Sequence, residues 1–91
     1  MNDKSAYPSE DAVDAAILAL AGRPDAPKSI APEEAARALA SNADWQSLLP
    51  LVRRAAVRLA QSGRLVIYRK GKPADPSDFR GVYRLGLPPG G

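Results

Sequence analysis

Cysteine and histidine are both missing from the 91 residues. Without cysteine there is no disulfide frame, no thiolate nucleophile and no thiolate zinc site. Without histidine the commonest general base and the commonest metal ligand are gone as well. Aromatic residues are few, with three Tyr, one Trp and one Phe. Long hydrophobic runs are lacking: the longest, Ala15 to Ala21, is seven residues, mostly alanine, against the ~20 of a membrane span. Residues 1–5 have neither the basic start nor the apolar stretch of a secretory signal. The expectation is a soluble cytoplasmic protein with no membrane partner, no cofactor and no metal.

What is present suits one small domain. Apolar residues make up 45% of the chain, and 17 of the 41 are alanines. Ten Leu, five Val and three Ile supply most of the bulk, which implies a thin core between closely packed helices. The formal charge of +3 hides a strong asymmetry. Residues 1–45 carry four basic and eight acidic side chains, and residues 46–91 carry nine basic and two acidic. A basic half of this kind points to a polyanionic partner. Its alternative is a solvated surface on which arginine only confers solubility.

Local signals divide the chain. Residues 1–8 read as a flexible arm, 9–87 as the folded domain and 88–91 as a disordered tail. Ser9 is an N-cap before Glu10 and Asp11, and Val13, Ala16, Ile17 and Leu20 form a helical stripe ending at Gly22. Pro24 and Pro27 stop any continuation. Lys28-Ser29-Ile30 reads as a short extended piece. Pro32 opens a second helix with Glu33 and Glu34 in its first turn and Ala35, Ala36 and Leu39 on its apolar face. That helix breaks at residues 41–43. Asp44 then caps a third helix that buries Leu48, Val52, Ala55, Ala56 and Leu59 and stops before Gly63. Pro50 either kinks that helix or divides a capping turn, 44–49, from the helix proper.

Beyond Gly63 the hydrophobic period changes from 3.6 to 2. Leu65-Val66-Ile67-Tyr68 reads as a strand and residues 82–87 as its partner. Tyr68 and Tyr83 are expected to face each other across the pair. The loop between, 70–81, is long and basic. Three helices followed by a hairpin, with Ser29-Ile30 beside it, specify an α+β winged helix: a helix–turn–helix at 32–62 and a wing at 64–87.

The residues also carry a resemblance. Residues 29–39, Trp45, Val52-Arg53-Arg54-Ala55-Ala56, residues 59–63 and, above all, residues 69–76 with Gly81 and Arg84-Leu85 resemble a small bacterial family of unknown function. The resemblance covers roughly residues 10–87. It implies a winged-helix fold and brings no established activity. Ala31 and Glu33 depart from the family pattern, where small polar residues are more usual. Ala31 has no side chain to cap the second helix, so Ser29 or solvent is expected to help.

Two segments are candidate contacts. Arg53, Arg54, Arg58 and Gln61 lie on the third helix away from its apolar set. In a helix–turn–helix that face enters the major groove, where Arg reads guanine and Gln reads adenine. Arg69, Lys70 and Lys72 surround Gly71 in the wing, with Arg84 extending the stripe, suited to phosphates. The alternatives are a solvated Arg face and a basic loop that blunts a sheet edge. Asp75 is expected to fix a turn through its side chain. Trp45 is expected to pack the inter-helix turn against the first helix, and Phe79 to seat the wing on the body.

Catalysis is not expected. Glu33 and Glu34 are adjacent on a helix and so diverge by about 100°, and no histidine is available to activate a serine. The reading is therefore a winged helix that binds double-stranded DNA through helix 45–62 and the basic wing 69–72, with transcriptional regulation as the role this suggests, acting as a monomer or weak homodimer. The alternative is a protein-interaction adaptor that binds no nucleic acid.

Overall fold

The computed structural model describes residues 8–23, 29–40 and 43–89. Three helices lead into a three-stranded antiparallel sheet. This α+β order is compatible with a winged-helix-like arrangement. The N-terminal arm up to residue 7, residues 24–28, the break at 41–42 and the last two residues lie outside the described residues.

Helix α1, Glu10–Ala21, begins where the Ser9 side chain accepts from the Ala12 amide at 3.1 Å. Glu10 and Asp11 occupy its first turn, where carboxylates favour the positive end of the helix dipole. Gly22 closes it by donating its N–H to the Leu18 carbonyl. Helix α2, Pro32–Leu39, has no side-chain cap from Ala31. Ser29 does not compensate, because its hydroxyl accepts from Arg84. Glu34 supplies half of a capping box instead, its carboxylate accepting from the Ala31 amide at 2.9 Å.

Pro50 does divide the next segment. A 3-10 helix, Ala43–Leu48, precedes helix α3, Leu49–Gln61, with the proline in the first helical turn. Proline is tolerated there because the first-turn amides have no intrahelical acceptor. Asp44 therefore lies in the first turn of the 3-10 helix and is not the cap of α3, whose N-cap position is Leu48. At the far end Gly63 adopts φ +83°. Its amide bonds the Ala60 carbonyl and the Arg64 amide bonds the Leu59 carbonyl. That pair of bonds is a Schellman closure, which needs a left-handed residue and so selects glycine.

Strand β1, Val66–Arg69, is central, between β2, Lys72–Pro73, and β3, Arg84–Gly86. The long basic loop of the sequence reading is thus partly a hairpin of its own. Lys70 (φ 54°) and Gly71 (φ 82°) form a two-residue turn between β1 and β2. Two successive positive φ values match the twist of a tight hairpin. Ile30 adds a bridge to β3, exchanging both backbone bonds with Leu85 at 2.7 and 2.8 Å. The expected strand at 82–87 is shorter, and its register puts Arg84, not Tyr83, opposite Tyr68.

The core lies where α1, α2 and α3 meet the inner face of the sheet. Ile17, Ile30, Val52, Ile67 and Leu85 are fully enclosed, and Ala35, Ala36, Ala55 and Ala56 are buried between them. Those alanines let the helix axes approach closely with little bulk between them. Alternation along β1 and β3 puts Ile67 and Leu85 inward and leaves Tyr68 and Arg84 on the outer face. Trp45 is half-buried against the core, and the Arg37 guanidinium of α2 lies 4.5 Å from its ring centroid.

Candidate nucleic-acid interface

The solvent face of α3 carries Pro50, Arg54, Arg58 and Gln61, residues three or four apart and hence on one stripe. No acidic residue falls between Leu49 and Arg64. The four candidates on this helix nevertheless have different surroundings.

Arg53 is half-buried and works inside the fold. One Nη2–H donates to the Phe79 carbonyl at 2.8 Å. Its guanidinium also lies 4.0 Å from the Phe79 ring centroid and 5.6 Å from that of Tyr83. The two rings meet edge to face, 5.1 Å between centroids. Phe79 is buried and does seat the wing on the body, with Arg53 as its clamp. Burial pushes the Tyr83 hydroxyl pKa up, partly offset by the nearby Arg53 charge.

Arg58 is engaged as well. Its two terminal nitrogens donate to the two oxygens of Asp14 on α1 at 3.1 and 3.0 Å, and Glu10 lies 4.0 Å away. The hydrogen bond to Asp14 raises the Arg58 pKa. Arg54 and Gln61 are exposed and have no side-chain hydrogen bond or ion pair among the described residues.

The wing divides in the same way. Arg69 donates from Nη1 to the Val82 carbonyl at 2.7 Å. Arg84 donates from Nε to the Ser29 hydroxyl and from Nη2 to the Ser29 carbonyl, at 2.8 and 2.9 Å. Lys70 and Lys72 are exposed on either side of Gly71 at the tip of the β1–β2 turn, again without a partner among the described residues. Asp75 accepts from the Ser77 amide and hydroxyl at 2.9 and 2.7 Å, fixing the turn. Those two bonds hold its carboxyl below the usual range, the backbone bond contributing most.

Eight candidate side chains therefore separate into two sets. Arg53, Arg58, Arg69 and Arg84 bond to other parts of the fold. Arg54, Gln61, Lys70 and Lys72 face solvent.

A family model described as protein of unknown function, DUF3253, matches residues 10–88. The chain belongs to the DUF3253 family. No curated protein matches it. The residues matched span all three helices and the sheet, so the family unit is the whole fold described above. Among its described residues this DUF3253 chain has no group of three or more metal-ligating side chains. No helix among them is long and apolar enough to cross a membrane.

One surface feature was missed in the sequence. Val82 is 82% exposed, between two hollows, one over the outer sheet face and one beside Pro32, Leu49 and Pro50. A signal was available: counting back by twos from buried Leu85 places Tyr83 inward and Val82 outward with Arg84.

Proposed function

We propose that this DUF3253 chain binds double-stranded DNA, with the solvent face of α3 toward the major groove and the β1–β2 turn on the sugar–phosphate backbone. The observation that supports this most is the set of long polar side chains that the fold leaves unused. Arg54 and Gln61 on α3 and Lys70 and Lys72 at the turn have no internal partner among the described residues. Arg and Gln have the donors that read guanine and adenine edges, and the lysines supply phosphate neutralisation. Arg53, Arg58, Arg69 and Arg84 act in this reading as supports that orient the wing and α3.

The test is binding of a labelled random-sequence duplex to the wild type and to Arg54→Glu, Lys70→Glu and Lys72→Glu, singly and combined. Each single change is expected to weaken binding by about 3- to 30-fold, as for removal of one or two charge contacts. Unchanged affinity in the triple variant, with the fold intact by circular dichroism, overturns the reading.

A protein-interaction role is the second reading, favoured by the exposure of Val82 between two apolar hollows. Under that reading Val82→Glu abolishes partner binding, and duplex affinity is absent from the start.

A further inference from the structure

The hollow on the outer face of the sheet measures about 650 Å³, within the range of sites for small organic ligands. Tyr68 and Val82 form its apolar wall, with Tyr83 at its edge, and Arg69, Lys70 and Arg84 its charged rim. No carboxylate lines it among the described residues. An apolar wall with only cationic groups around it is complementary to one kind of small molecule: an apolar body with an anionic head.

Two of the three cations are held in place before any ligand arrives. Arg84 is fixed by two bonds to Ser29, which leave the N–H groups of its Nη1 unspent. Arg69 is fixed by its bond to the Val82 carbonyl, and its guanidinium packs on Gly81 so closely that a methyl group there would sit 3.2 Å from Nη1. Fixing a long side chain in advance removes the ordering entropy that binding otherwise costs. Lys70, held over the hollow by its positive-φ turn, has no partner among the described residues.

We propose that this hollow binds a small planar carboxylate, its ring against Tyr68 and Val82 and its carboxylate between Lys70 and Arg84. Planarity is favoured because Tyr68, on the outer face of β1, supplies an aromatic wall, and aromatic faces stack on flat ligands. A carboxylate suits a guanidinium that presents paired donors in one plane. The proposal does not depend on DNA binding, and its test contains no DNA.

The experiment is an amide NMR titration of the 91-residue chain with 2-naphthoate, and in parallel with neutral 2-naphthamide. Saturable shifts are expected at Tyr68, Arg69, Lys70 and residues 82–84 with naphthoate, with a Kd tighter than about 1 mM. Naphthamide is expected to bind about 10-fold more weakly, the ratio given by 1.4 kcal/mol. Lys70→Gln, on an exposed turn, reduces naphthoate affinity and leaves naphthamide unaffected. Val82→Glu weakens naphthoate binding by charge repulsion without touching the core. No saturable shift at 5-fold above that Kd (about 5 mM), shifts centred elsewhere, or equal affinity for acid and amide overturns the proposal.

Discussion

At the scale of single residues, this protein uses arginine in two ways. Arg53 is clamped between the Phe79 carbonyl and two aromatic rings. A hydrogen bond from a charged group is worth about 1.5–3 kcal/mol and a cation–π contact about 0.5–1 kcal/mol or more. Arg53→Ala is therefore expected to cost about 2–3 kcal/mol in urea denaturation, and Arg53→Lys less, because the charge over the ring survives. Tyr83, beside it, makes the fold sensitive to alkali. Its folded-state pKa is raised by burial, so its contribution is complete below the unfolded value of about 10 and is lost as pH rises through the folded one. Stability is expected to decline above pH ~10, and Tyr83→Phe to remove that part of the decline. A titration of chemical stability between pH 8 and 11 checks both. None of these roles was legible in the sequence. Arg53 and Phe79 are 26 residues apart, Arg58 and Asp14 44, and Arg84 and Ser29 55. Sequence reasoning finds that an arginine faces outward; what meets it there depends on packing between distant elements.

At the scale of elements, the reading from sequence went further, because caps and periodicity act locally. Ser9, Gly22, Pro32 and Gly63 mark helix ends for reasons of backbone chemistry alone, and the structure puts the ends at those residues. For Pro50 the sequence leaves a kink and a division both open, and the structure has the division, with the 3-10 helix ending at Leu48 and the proline in the first turn of α3. The sheet was harder. The turn at Lys70-Gly71 is a two-residue hairpin, but Lys is a weak signal for a positive φ, so the sequence reads as a longer loop there. The expected Tyr68–Tyr83 pair failed because residues 74–83 return to the sheet by a route that fixes the register at Arg84. In that path the Tyr83 ring turns inward, against Phe79. The tight turn makes its own prediction. Gly71→Ala places a methyl group at φ +82°, which costs about 1–2 kcal/mol for a non-glycine residue. Nothing lies within 4 Å of the added carbon, so the loss is conformational, and Gly71→Asn is expected to recover part of it. Thermal melts of the two variants distinguish strain from lost contacts.

At the scale of the whole molecule, a thin core carries both halves of the charge distribution. Ile17 of α1 is fully buried against that core, and Ile17→Ala is expected to cost about 2–5 kcal/mol. For a domain with about 5–15 kcal/mol in total, that is a large share, visible as a marked fall in melting temperature. The acidic end of α1 reaches α3 through Arg58, so the positive face of α3 is interrupted there and centres on Arg54. The β1–β2 turn, with Lys70 and Lys72, is the other basic point. DNA binding through these positions requires a salt dependence set by few phosphates. The decisive measurement is anisotropy of a labelled duplex titrated at a series of salt concentrations. The expected result is a slope of log affinity against log salt of about −2.7, three phosphates at ~0.9 each, falling toward zero in the Arg54→Glu, Lys70→Glu, Lys72→Glu variant. No binding at about 50 mM salt, where phosphate contacts are strongest, or an equal slope in wild type and variant, contradicts a DNA-binding role for this face.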